Sequence, residues 1–200
     1  MICLEGHGRE EIIKNVNISR TVGWFTSVYP VVLNLPNIED LSYHLKLVKE
    51  TVRSIPNKGI GYGLLKYLVA EHGQQDIQFN LEPEIKFNYL GQFDKDVNTD
   101  VFKVSDVSYG QTVSPDAERE IALNINGLVE DGQLTMSIEY NLQEYSEADI
   151  NVFGRYFKAQ LIEIIQHCVG KETQELTPSD VGGEDLSIDD LEAIMDFYNH

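Results

Sequence analysis

The chain has 200 residues, 42% of them hydrophobic, and a formal charge of −18. Such a length and apolar share suit one globular domain with a full core. The charge argues against a nucleic-acid backbone or an anionic membrane as partner, because both would repel the chain over its whole approach. It is also uneven, since residues 171–200 hold nine acids against one Lys, −8 in all, as a distinct acidic tail. No stretch is long and apolar enough for a membrane span and no basic leader precedes an apolar run, so a cytoplasmic protein is expected. Cys3 and Cys168 show no metal-type spacing against the five histidines, and each is expected as a buried, reduced thiol.

The chain opens with a short run, Glu5-Gly6-His7-Gly8-Arg9-Glu10, dense in charge and glycine. If it is extended, the period of two places Glu5, His7 and Arg9 on one face, with Gly6 and Gly8 admitting a close neighbour. Both a general base beside a positioned cation and a solvated cluster at a strand end fit this pattern. Spacing alone does not separate them.

Residues 18–35 are rich in Val, Thr, Phe and Tyr, interrupted by Gly23 and closed by Pro30 and Pro36, a pattern of strand, turn and strand. Trp24 then belongs to an aromatic core strand. Ile38, Leu41, Leu45, Val48, Val52 and Ile55 recur at helical steps, with Asn37 as N-cap and Pro56 as stop. Residues 56–63 form a glycine-rich loop before a short helix over 64–72. Gly59-Ile60-Gly61-Tyr62-Gly63 lacks both the preceding strand and the GK[ST] that a phosphate cradle needs, so a shaped turn is the expectation.

Ile85, Phe87 and Tyr89 alternate as a strand, with Tyr89 placed in the core and its hydroxyl at the edge. Residues 92–118 are polar and irregular. Within them Asp94, Asp96, Asn98 and Asp100 imitate half a calcium loop, but Thr99 and Ser105 stand where Gly and a bidentate Glu are required. No metal site is expected. Two alternating arms, Ile121 to Ile125 and Leu134 to Tyr140, flank Asp131-Gly132 as a hairpin. Ser146 with Asp149 opens a long helix with the stripe Ile150, Phe153, Phe157, Leu161, Ile164 and Cys168, ending at Gly170. Residues 173–185 have the composition of a linker. After it, Ile188, Leu191, Ile194, Met195 and Tyr198 make an apolar stripe on a short acidic helix suited to a partner's groove. The elements together describe an α/β fold, a mixed sheet flanked by helices.

The order of four segments adds a further reading. Residues 5–10, then Ser19-Arg20-Thr21-Val22-Gly23-Trp24-Phe25-Thr26 running to Tyr29-Pro30-Val31, then 59–63, then Phe87-Asn88-Tyr89-Leu90-Gly91-Gln92-Phe93, resemble the second half of the epimerization domains of nonribosomal peptide synthetases. These domains belong to the condensation-domain superfamily. Plain condensation domains match less well, because their HQDxPFE-type segment is absent here. The resemblance implies that residues 1–180 are the C-terminal part of such a domain, one lobe of a two-lobed chloramphenicol-acetyltransferase-like fold and incomplete in this chain. Residues 181–200 then resemble a linker and a donor docking helix, with Ile188, Leu191, Ile194 and Met195 as its contact stripe.

The implied activity is inversion of the α-carbon of an aminoacyl or peptidyl thioester. This reaction needs a base on one face, a proton donor on the other and enolate stabilisation between them. By resemblance Glu5 is one acid/base residue and Tyr89 a proton donor or positioning hydroxyl. His7 and Arg9 would hold Glu5, and Ser19, Trp24, Tyr62 and Asn88 would support or line the tunnel. The chain itself binds no cofactor, the phosphopantetheine arm being brought by a peptidyl carrier domain. Other implied partners are the N-terminal lobe of the same domain and a downstream synthetase reached through the acidic helix. The family's HHxxxDG motif has no counterpart here and Asn17 stands where the family often has Asp, so the isolated chain is expected to epimerize nothing. A second reading from another class is a non-catalytic module that holds a carrier and a synthetase.

Overall fold

The computed structural model describes residues 1–69, 78–92, 101, 105, 107–108, 110, 114, 117–118, 121–183 and 185–198. Among the described residues, five strands form one mixed sheet: β1 (Ile2–Gly6), β2 (Ser27–Val31), β3 (Ile85–Gln92), β4 (Leu123–Glu130) and β5 (Gln133–Tyr140). Their order is β2-β1-β3-β4-β5. β1 runs antiparallel to β2 and parallel to β3, β3 is parallel to β4, and β4 with β5 makes the expected hairpin. Among the described residues the α-helices that accompany the sheet are α1 (Leu41–Arg53), α2 (Ile60–Leu64), α3 (Glu147–Val169) and α4 (Ile188–Tyr198). The α/β architecture read from the sequence is therefore present. The imitation calcium loop at 94–100 lies outside the described residues.

Alternation sorts the two faces of the sheet. Leu4, Phe87, Ile125 and Ile138 stand at one level across four strands, and Leu123 and Tyr140 form the neighbouring pair. The opposite face carries Cys3, Lys86, Asn124 and Glu139, again at one level. The hairpin turns on Asp131 and Gly132, both with positive φ as a type I′ turn requires. Among the described residues the buried apolar side chains are Cys3, Tyr29, Val31, Leu123, Ile125, Ile188 and Leu191. Neither α1 nor α3 buries a side chain fully.

Several local expectations change. Only residues 27–31 of the segment 18–35 are strand, because the carbonyls of Ile18 and Thr21, which a ladder would use, accept hydrogen bonds from the Arg9 side chain instead. Trp24 is accordingly not in a core strand and is 94% exposed. The N-cap of α1 is Asp40 rather than Asn37: Asp40 Oδ1 accepts from Tyr43 N at 2.9 Å, while Ile38 N bonds back to Pro36 O in a preceding turn. Ser146 caps α3 as expected, accepting from Asp149 N at 3.2 Å. The apolar stripe of α3 is half-buried as far as Ile164, but a three-residue step then brings His167 inward and leaves Cys168 an exposed thiol. Cys3 is buried, as expected.

Gly59 explains the glycine-rich loop. Its φ is +79°, and a Cβ there would lie 2.2 Å from the Tyr29 ring, so residues 56–64 can seat against β2 only with glycine at this position. Gly59 is the packing turn, and from Ile60 the expected loop is already helix α2, so the helix begins four residues before the expected Leu64.

The segment expected to be a free linker is anchored. Thr177 and Asp180 form a capping box around a single turn at residues 178–180, and Thr177 is 1% exposed. From α1, Lys46 pairs with Glu175 at 3.0 Å and Glu192 at 2.6 Å, Arg53 pairs with Asp180 at 2.6 Å, and Lys49 also holds Asp180. Ser179 Oγ donates to Glu50 Oε1 at 2.6 Å. The acidic tail is thus matched to a cationic stripe at helical spacing. Lys49 and Arg53 beside Asp180 hold its carboxyl well below the usual carboxylate range. Hydrogen bonds from Lys171, Ser42 and Lys46 bring Glu175 down to about 2.

A depressed carboxylate stabilises the folded state above its unfolded value and loses that contribution as pH falls through the folded one. Seating of residues 175–192 on α1 should therefore hold at pH 6 and weaken as acid is added from about pH 4.5 toward 2. A carbon NMR titration of the Glu175 carboxyl, with amide exchange of residues 175–192, checks this. An ordinary glutamate titration would contradict it.

Candidate functional site

β1 lies inside the sheet, so the side chains of its outer residues are flanked on both sides. Glu5 faces the same way as Cys3, and its carboxylate is paired with the Lys86 ammonium of β3. Lys86 stands opposite Cys3 on one side and Asn124 on the other. Asn124 Nδ2 in turn donates to Glu139 Oε2 at 3.3 Å. The row Cys3, Lys86, Asn124 and Glu139 forms part of the wall of an open cavity of about 1860 Å³, to which Tyr62 and Lys66 also contribute. Burial pushes the Cys3 thiol up, against the pull of Lys86, so it remains a neutral thiol.

The charged hexapeptide does not act as one strand face. β1 ends at Gly6, and Gly8 takes a φ of +65° with its missing Cβ directed at Phe25 O, 1.5 Å away. This crossing turns the chain aside. His7 Nδ1 accepts from Arg9 N at 3.0 Å, and His7 Nε2 lies 3.3 Å from Glu10. Glu10 also pairs with Lys58 at 3.0 Å. Arg9 Nη1 donates to Ile18 O at 2.7 Å and Thr21 O at 2.8 Å, and its guanidinium sits 4.3 Å above the Phe25 ring. Neither His7 nor Arg9 holds Glu5. Lys86 does, and the sequence carried one signal for it: it precedes Asn88 by two residues on a strand, hence on the same face.

The remaining site residues are scattered by the same alternation. Asn88 follows Lys86 on the Glu5 face, whereas Tyr89 points to the other, beside Gly127, and is 52% exposed rather than in the core. Glu5 and Tyr89 are therefore not brought together. Ser19 donates from N and Oγ to Asn17 Oδ1 at 2.9 and 2.7 Å, so the amide oxygen of Asn17 already serves the turn where the family often has a carboxylate. Tyr62 packs edge-on against Phe79 with ring centres 5.5 Å apart. Trp24 points to solvent. In α4, Ile188 and Leu191 are buried within the chain, while Ile194 and Met195 are each 42% exposed, so half of the expected docking stripe is used internally. Among the described residues, no cluster of three or more His, Cys, Asp or Glu could hold a metal ion. No helix among them is long and apolar enough to cross a membrane.

Arg9 thus organises a loop rather than a proton-transfer group. Arg9→Ala should lower stability by about 2 kcal/mol, as expected for lost hydrogen bonds to a charged group, and should speed tryptic cleavage after Arg20. Urea denaturation and a cleavage time course read both, and unchanged cleavage would contradict the assignment.

Comparison with known proteins agrees with this architecture. A family described as "Condensation domain" matches residues 1–187. Surfactin synthase subunit 1 of Bacillus subtilis (strain 168) is 48% identical over 197 residues, which is 98% of this chain and 6% of that protein. Gramicidin S synthase 1 of Brevibacillus brevis is 50% identical over 204 residues, covering 98% of this chain and 19% of that protein. The chain therefore spans a small part of these relatives. The crystal structure of the epimerization domain from the third module of tyrocidine synthetase B superposes with a TM-score of 0.76 at 45% identity, over 85% of this chain and 37% of that one. The chain belongs to the condensation-domain family of the nonribosomal peptide synthetases.

Proposed function

We propose that the chain supplies one lobe of an epimerization domain that inverts the α-carbon of an aminoacyl or peptidyl thioester held on the phosphopantetheine arm of a carrier domain. The observation that carries this reading is the likeness, over 85% of the chain, to a domain described as epimerizing. Glu5, fixed within the sheet by Lys86, is suited to be its base. A thioester α-proton is weakly acidic, so its removal needs a positioned base and an environment that stabilises the enolate. In this reading the Glu5 carboxylate takes the proton from Cα, the electron pair passes into the thioester enolate, and a group of the opposing lobe protonates Cα from the other face. Glu5 then returns its proton to solvent. Asn88, on the same face as Glu5, is better placed than Tyr89 to contact that substrate.

In a chimera joining this chain to the N-terminal lobe of the tyrocidine synthetase B domain, Glu5→Gln should slow α-proton exchange on a loaded carrier by at least about 10²-fold. Exchange of deuterium from D2O into the aminoacyl group measures this, and full-rate exchange by the Gln variant would sink the reading. The 200-residue chain alone should release no D-product.

A second reading concerns α4. Ile194 and Met195 remain half-exposed and Phe197 and Tyr198 largely so, which leaves an apolar end available to a downstream synthetase. Ile194→Asp with Met195→Asp should weaken transfer to that enzyme while leaving the melting temperature unchanged. Transfer at the parent rate would exclude this role.

A further inference from the structure

Lys86 departs from what a central strand ordinarily holds. β3 has a strand on each side, and residues in such positions are usually apolar or small. Yet Lys86 stands in the middle of the sheet of a chain with a formal charge of −18, level with Cys3, Asn124 and Glu139. Its side chain is 28% exposed and that of Glu5 17%, so the pair is largely withdrawn from water. Lys86 also contributes to the wall of the large cavity, which makes it the physical link between that cavity and the carboxylate. Arg9 is held by the carbonyls of Ile18 and Thr21, Lys58 by Glu10, and Lys66, on the wall of the same cavity, lies 5.2 Å from the centre of the Tyr67 ring, so the cation that pairs with Glu5 is Lys86.

From this geometry we infer that Lys86 is the positioning residue of Glu5. The ammonium engages Oε1, and in this inference that leaves Oε2 as the oxygen that meets the substrate carbon. A carboxylate on a three-bond side chain has several rotamers, and a single charged hydrogen bond from a neighbouring strand selects one. Lys86 does not exchange a proton in this arrangement; it stays an ammonium while Glu5 takes and returns the α-proton. The inference rests on the proposed epimerase reading, and the following experiment separates the two.

In the same chimera, Lys86→Gln removes the charge and keeps most of the reach. Its turnover number for α-proton exchange should fall by about 10- to 100-fold, the scale of a misplaced reacting group. The KM for the aminoacyl carrier should stay within about twofold, since the carrier's binding surface is untouched. Lys86→Arg should recover most of the rate. The double variant Glu5→Gln, Lys86→Gln should be no slower than Glu5→Gln, because residues acting through one another are not additive. Wild-type turnover in Lys86→Gln, with Glu5→Gln inactive, would overturn the positioning role and leave the epimerase reading standing. Full exchange in Glu5→Gln would instead remove the epimerase reading. A lowered melting temperature in Lys86→Gln, with no recovery in Lys86→Arg, would assign Lys86 to folding and also overturn the inference. Independently of turnover, the 200-residue chain should show a slowly exchanging Lys86 ammonium signal by nitrogen NMR that disappears in Glu5→Gln. Persistence of that signal would contradict the pairing.

Discussion

The parallel pairing of β1 with β3 is the constraint on which the rest of this structure depends. It carries the first residues of the chain into the interior of the sheet and sets Cys3 against Lys86 and Leu4 against Phe87. Parallel neighbours cannot be joined by a tight turn, so more than seventy residues pass between the two strands and include α1 and α2. Once that register is set, the pleat decides the remainder. Cys3, Glu5, Lys86 and Asn88 share one face, and Leu4, Phe87 and Tyr89 share the other. A slip of one residue would exchange these sets and separate Glu5 from its cation.

A second organising force is electrostatic. A chain with so many acids gains from placing its few cations where several carboxylates can share them. α1 does this with Lys46, Lys49 and Arg53, which meet Glu175, Asp180 and Glu192 across more than 120 residues of sequence. Pairs this exposed are weak singly, and a connected network with a capping box at Thr177 is better held than its members. The consequence bears on the docking role proposed for α4. The acidic segment, which resembles a docking element, is seated on its own domain, with Ile188 and Leu191 already buried.

Much of this was legible in the sequence. The strand carrying Phe87 and Tyr89, the hairpin at Asp131-Gly132 and the Ser146-capped helix all depend on neighbours within a few residues, so local patterns describe them well. The order of four motifs led to the family that the comparisons show, and its resemblance pointed to Glu5. The partners of Glu5 were not. Proximity in sequence suggested His7 and Arg9, whereas a positive φ at Gly8 turns the chain so that Arg9 serves Ile18 and Thr21.

Taken alone, the sequence determined most kinds of element and the acidic character of the tail, and its resemblance singled out Glu5 as a candidate to move a proton. Hydrophobic period, cap residues and turn chemistry are short-range, and a linear pattern contains them. Tertiary structure decided that Lys86 is the counter-ion of Glu5, that Tyr89 faces away from it, that Trp24 leaves the core and that the tail closes on α1. Each of these follows from the register between segments tens of residues apart. Such a register is set by the packing of the whole sheet, and no single segment specifies it.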